Sequence, residues 1–187
     1  MDQRGLVVRA RGGDHDAFTA LVDLTLVRLD AVARLILRDP ELARDAVQDT
    51  FIRAWRDLPG LRDPDRFDAW LHRLIVHACL DLVRRRRRRL VEVELTPIDL
   101  PAETDLAGDF ADRDMLADAL TRLDPGHRAV VVLHYFVGLP LPEVAAAIGI
   151  PLGTAKSRLH YALATMKVAV LRDPVPATSH VRKGHPA

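Results

Sequence analysis

Amphipathic stripes at helical spacing, each closed by a proline, leave the first half of this chain little choice of fold. Phe18, Leu21, Val22, Leu29, Val32, Ala33 and Ile36 share one face of a helix running from about Asp14 to Leu37. Asp14 suits its N-cap, and Asp39-Pro40 ends the run. Leu42, Ala46, Val47, Thr50, Phe51, Ala54 and Trp55 mark a second helix from Pro40 or Glu41 to Leu58, stopped by Pro59-Gly60. A third starts near Arg66 and turns Phe67, Trp70, Leu71, Leu74, Ile75, Ala78 and Leu82 inward. It ends in six consecutive arginines, Arg84 to Arg89. Like charges so close repel one another unless a polyanion neutralises them.

Charge divides the chain. Residues 1–89 hold 18 basic and 14 acidic side chains, residues 90–118 one and nine, and residues 119–187 eight and three. Two mildly basic blocks on an acidic tether point to anionic partners. The segment 90–110 is interrupted by Pro97 and Pro101 and lacks a sustained period, which predicts a linker. Helices resume at ADRDMLADALTRL, and Asp124-Pro125 caps the next one. The Pro-rich end, residues 173–187, reads as a disordered tail. The expectation is an all-α chain with helical modules at 1–89 and 111–172.

One cysteine, Cys79, excludes an internal disulfide and a Cys-rich zinc site and fits a reducing compartment. No metal-spaced cluster appears, so no metal or cofactor is expected. No apolar run is long enough to span a membrane, and MDQRGLVVRARGGD has no secretion-signal character. A cytoplasmic location is expected.

The stretch PEVAAAIGIPLGTAKSRLHYAL has helix-turn-helix spacing. Ala145 is small where two helices cross, and Gly149, four residues on, suits a positive-φ turn. Ile150, Ala155 and Leu159 supply the buried positions across the turn. On the second helix Ala155, Leu159, Ala162, Leu163, Met166 and Val170 form the expected inner stripe. Lys156, Ser157, His160, Tyr161, Ala164 and Lys167 fall outside it, with Thr154 just ahead of them, and lysine, histidine and serine carry groups suited to a major groove. Arg158, at the flank, suits phosphate. A plain helical hairpin with a solvated polar face is the alternative.

In the third helix Phe67 and Trp70 are followed by His72, Arg73, His77 and the arginines Arg84, Arg85 and Arg86. Rings interleaved with cations suit single-stranded nucleic acid, whose bases stack and whose phosphates pair. The spacing of Phe67 and Trp70 equally permits core positions.

In order along the chain, GDHDAFTALVDLTLVRLDAVARLIL, ELARDAVQDTFIRAW, FDAWLHRLIVHACLDLVRRRRR and LDPGHRAVVVLHYFVGLPLPEVAAAIGIPLGTAKSRLHYAL resemble a bacterial extracytoplasmic-function sigma factor of the sigma-70 family. The resemblance spans about residues 14–170, apart from the linker. It implies a region-two bundle of three to four helices and a region-four helix-turn-helix joined by a flexible linker. It also implies a specificity subunit with no catalytic role, whose partners are core RNA polymerase, promoter DNA and an anti-sigma factor. Region two would dock on the β′ clamp helices through Asp45, Gln48, Asp49, Phe51, Arg53 and Trp55, while a second polymerase contact would be the β flap. The Leu61–Phe67 loop, with Arg62 and Asp63, would receive a flipped base of the minus-10 element, and region four would hold the minus-35 duplex. The sequence departs from the family pattern at His77, usually asparagine, and at Pro140-Leu141-Pro142, usually a serine-led cap. Asp49 and Thr50 replace a commoner glutamate and aliphatic, and Val22 and Leu26 stand at usually aromatic positions.

Three other readings compete. A stand-alone regulator would bind duplex without polymerase, which the ELARDAVQDTFIRAW block argues against. An enzyme built on Asp49 with His72, or Cys79 with His77, lacks a phosphate loop or nucleophile elbow, and His77 and Cys79 do not share a helix face. Membrane attachment through the arginines has no adjoining apolar face.

Overall fold

The structure, a computed structural model, describes residues 2–92 and 118–172, with side chains to 88 and to 169. Among the described residues every regular element is helical. The elements are α1 (Gln3–Arg11), α2 (His15–Leu37), α3 (Pro40–Asp57), 3-10 turns at Leu58–Gly60 and Pro64–Arg66, α4 (Phe67–Glu92), α5 (Pro125–Val131), a π-helical turn at Val132–Phe136, α6 (Leu141–Ile148) and α7 (Leu152–Arg172). The expected linker begins at residue 90, yet α4 runs on to Glu92. The rest of the linker and the tail lie outside the described residues.

Capping explains the helix starts. Asp14 accepts from the Ala17 N–H, and Asp39 accepts from the N–H groups of Glu41 and Leu42 ahead of a first-turn Pro40. Asp124 does the same for Gly126 and His127 ahead of Pro125. The Ala17 N–H and Arg9 hold the Asp14 carboxyl below its ordinary range. Arg38 ends α2 in the left-handed region at φ 58°, turning the chain sharply into α3.

Helix α1 was not assigned from the sequence. Only Leu6, Val7 and Ala10 carry its apolar face, too short a stripe to register alone, and they are buried against α2. Helices α2, α3 and α4 form the N-terminal bundle, with Leu21, Leu29, Ile36, Ala46, Leu71 and Ile75 at its centre. Thr25 and Thr50 are buried too, each returning its hydroxyl to the carbonyl four residues back at 2.7 Å.

The C-terminal helices do not stand apart. Helix α6 packs on α4, and α5 packs on α2 and α4, so one apolar cluster runs from Leu6 through Cys79 to Ile148. A second cluster joins Ala119, Leu120 and Leu123 to Ala162, Met166 and Ala169 of α7. Leu163, expected on the inner stripe, is 40% exposed. The α7 line Ala155–Ala162–Met166–Ala169 points inward, and Leu163 sits about 100° round from Ala162.

Burial also corrects the basic face of α4. His72 is 3% exposed, its ring buried beside Arg28 and Asp68. Desolvation, with the Arg28 charge beside it, holds the imidazole below its ordinary 6.5. Cys79 is buried, and desolvation pushes its thiol up to about 12, so it is no nucleophile.

The sign of the His72 effect follows from linkage. The unfolded chain takes up a proton near pH 6.5 while the folded chain resists it. Stability from this site is complete above that value and falls as pH drops toward the depressed folded value. The slope is up to about 1.4 kcal/mol per pH unit. In urea unfolding between pH 7 and 5, His72→Leu is expected to flatten the loss of stability by up to about one proton's worth; an unchanged slope would contradict the assignment.

Candidate nucleic-acid interface

The outer face of α3 presents Asp45 and Gln48 in the open and Asp49 and Arg53 partly so. Arg53 pairs with Asp49 at 2.6 Å and reaches across to Asp81 of α4 at 3.6 Å. Asp81 also accepts from Arg84 at 2.9 Å. A chain of alternating charges therefore runs from the α3 face to the arginine end of α4. Each link is partly solvated and worth about 0–1 kcal/mol. Sequence reading missed Asp81, although its place three residues before Arg84 is an i, i+3 pairing signal.

Phe51 and Trp55 are half-buried. The Trp55 ring lies 4.4 Å from His15 and 4.9 Å from Phe18, which ties it into the α2–α3 seam. Ile52, not singled out from the sequence, is 59% exposed between Asp49 and Arg53. An aliphatic side chain on the polar stripe of an amphipathic helix was the available signal.

The loop before α4 exposes Arg62 and Asp63. Asp63 is not wholly free to read a base, because its carboxylate accepts the Asp65 N–H at 3.0 Å and shapes the turn. Phe67 is 2% exposed, which corrects the expectation that it stacks on bases: its ring belongs to the core. Trp70, 5.9 Å from Phe67 between ring centroids, is half-buried and keeps one side toward solvent. Arg73 is exposed. His77 lies against α6, within reach of the Ile148 backbone and facing Gly149. Desolvation and Arg73 lower its pKa.

The arginine run is not left wholly unscreened. Arg84 bonds Asp81, and Arg86 donates to Asp39, the α3 cap, at 3.2 Å. Arg85, Arg87 and Arg88 are exposed. A concentrated positive end therefore stays accessible on a helix anchored at two points.

In the C-terminal module Gly149 caps α6 at φ 77°, and the N–H groups of Gly149 and Ile150 both return to the Ala145 carbonyl. Pro140 precedes α6 with no side-chain cap, as its missing hydroxyl requires. The turn sets α7 with Lys156, Ser157, His160 and Tyr161 exposed on one face and Ala155 buried behind them. Ser157 donates to the Thr154 carbonyl at 3.0 Å, and Thr154 is half-buried at the helix start. The Tyr161 ring packs 4.9 Å from His127, which pairs with the Asp124 cap. Arg158 lies over Gly126 at the α5 start, off the reading face.

Both halves of the chain have likenesses to known proteins. Residues 21–89 match the family described as Sigma-70 region 2, and residues 113–166 match Sigma-70, region 4. An ECF RNA polymerase sigma factor, SigE of Mycolicibacterium smegmatis, is 37% identical over 166 residues, covering 83% of this chain and 63% of that relative. The RNA polymerase sigma-E factor of Streptomyces avermitilis is 36% identical over 156 residues, covering 82% of this chain and 86% of that one. The solved structure of CnrH in complex with the cytosolic domain of CnrY superposes with a TM-score of 0.64 at 32% identity, covering 91% and 98% of the two chains.

The left-handed turn makes a measurable demand. A Cβ at Gly149 would meet only ordinary contact with the His77 ring at 3.9 Å, so the cost of a side chain there is backbone strain. Gly149→Ala is expected to lower unfolding free energy by about 1–2 kcal/mol in a urea titration, and Gly149→Asn by less.

Proposed function

The chain belongs to the extracytoplasmic-function sigma factors of the sigma-70 family, and within that family we propose the residue roles that follow. As a sigma factor it binds core RNA polymerase and directs promoter-specific initiation, and it is not an enzyme. The face of α3, with Asp45, Gln48, Asp49 and Arg53 around the exposed Ile52, docks on the β′ clamp helices. Phe51 and Trp55 hold that face rigid from beneath. The Leu61–Phe67 loop takes the flipped minus-10 base. Arg73 and the arginines Arg84, Arg85 and Arg86 hold the phosphates of the melted strand, and Trp70 offers its open side. Lys156, Ser157, His160 and Tyr161 read the minus-35 duplex, with Thr154 and Arg158 on phosphate, and the α5–α6 module meets the β flap.

The observation that carries this reading is the presence on one chain of two separate exposed surfaces, one of hydrogen-bond donors and one of arginines. One is a helix face of donor side chains, and the other is a helix with an exposed loop before its start and arginines toward its far end. The first suits paired DNA and the second an opened strand. Two weak footholds become strong when polymerase holds both at once.

CnrH and the RpoE protein of Bartonella quintana were each solved with a partner, the cytosolic domain of CnrY and the anti-sigma factor NepR. The RpoE likeness, at 24% identity and a TM-score of 0.69, speaks for fold alone. An anti-sigma factor is the proposed controller here as well. Among the described residues no helix is long and apolar enough to cross a membrane, and the proposed site of action is the cytoplasm.

In transcription assays with core polymerase and a promoter library, the chain is expected to direct initiation from a defined sequence class. Lys156→Ala and His160→Ala are expected to change minus-35 preference. Replacing Arg84–Arg86 with alanine is expected to weaken binding at all sites and reduce the salt slope by about 2. Initiation from no fragment would overturn the assignment, and equal losses at every minus-35 sequence would remove base readout from α7.

A further inference from the structure

The loop proposed to receive the minus-10 base is mostly exposed from Arg62 to Arg66. Its turn at Pro64–Arg66 buries no residue, and its internal braces are local: the Asp63 carboxylate accepts the Asp65 N–H, and the Asp63 carbonyl accepts the Arg66 N–H. Helix α1 lies directly against it, touching both the Leu58–Gly60 and the Pro64–Arg66 turns. Gln3 Nε2 donates to Asp68 Oδ1 at 3.0 Å, in the first turn of α4, and Arg28 of α2 donates to the same oxygen at 2.6 Å. Arg4 Nε lies 3.3 Å from Asp65 Oδ1 inside the loop. The helix that carries Gln3 and Arg4 is pinned by the buried Leu6, Val7 and Ala10. The Sigma-70 region 2 match begins only at residue 21, so α1 lies outside it.

We propose that α1 is the buttress of the promoter-reading loop, with Gln3 and Arg4 as positioning residues for minus-10 discrimination. The inference rests on the proposed role of the Leu61–Phe67 loop. Base discrimination needs a pocket held to within about 0.5 Å, because a loose pocket accepts the wrong base by shifting. Gln3 fixes where α4 begins, Arg4 restrains the loop's midpoint, and Arg28 closes the same carboxylate from α2. The Arg4–Asp65 pair is exposed, at 63% and 67% of the two side chains, so added salt weakens it first.

The test uses the full chain, free and as reconstituted holoenzyme, with Gln3→Ala/Arg4→Ala, Asp68→Asn and Gln3→Lys. The double variant keeps the apolar anchors of α1 and so keeps its seat. Backbone amides of the 61–66 loop are expected to exchange faster with deuterium in the free double variant. On a library varied separately at the two promoter elements, its preference among minus-10 bases is expected to fall about fivefold, with minus-35 preference and core affinity unchanged. Asp68→Asn moves the same way. Gln3→Lys, which offers Asp68 a charged donor, retains the wild-type preference and separates positioning from general loss of structure. Unchanged loop exchange, or an unchanged minus-10 preference in a wild type that discriminates, overturns the buttress alone. A wild-type holoenzyme that initiates nowhere overturns the functional reading on which it stands.

Discussion

Burial of α4 on more than one side is the constraint from which the rest of the structure follows. A helix that carries six consecutive arginines near its C-terminus repels itself there. It stays helical because its first four turns are sunk in apolar contact: Phe67, Leu71, Ile75, Val76, Ala78 and Cys79 are all buried. The contacts come from α2 and α3 and also from α5 and α6. At about 25 cal/mol per Å² of apolar surface removed from water, a few such side chains outweigh the repulsion among exposed charges. Asp81 and Asp39 supply local counter-charges for Arg84 and Arg86, and the remaining positive field points outward.

Fixing α4 fixes the sites around it. Its first turn carries Asp68, where Gln3 and Arg28 converge, and so anchors the exposed loop just before it. Further along the same helix, Asp81 links it to the outer face of α3 through Arg53. His77 rests on the tight turn of the C-terminal module. The proposed polymerase surface, the proposed strand-holding end and the helix-turn-helix are thus referred to one rigid rod. Polar readers such as Lys156 and His160 are exposed, but the elements under them are apolar and fixed.

The packing of α5 and α6 on α2 and α4 bears on how the two modules act together. In the structure the arginine end and the reading face of α7 are both exposed, while His77 is occupied at the contact between modules. Use of His77 as a strand contact therefore requires α6 to move off α4. Loss of that contact would expose Ile148 and part of the α4 surface to water, a cost that polymerase contacts on both modules would have to offset.

Helical periodicity, caps and breakers were enough, without coordinates, to place α2, α3, the body of α4, and the α6–turn–α7 unit. Each rests on local chemistry: a 3.6-residue stripe, an aspartate before a proline, and a glycine where φ must be positive. The polar faces of α3 and α7 were legible for the same reason, since periodicity assigns the outside as surely as the inside. Helix α1 was not legible, because three apolar residues in a short segment make no pattern until α2 supplies their partner surface. Nor could periodicity decide between a core and a stacking role for Phe67, or show that His72 is buried with its pKa lowered, or that Leu163 faces water. It was equally silent on Asp68 gathering Gln3 and Arg28 from helices distant in sequence. Those outcomes depend on which second surface covers a helix, and a stripe read along one helix carries no information about what approaches its other faces.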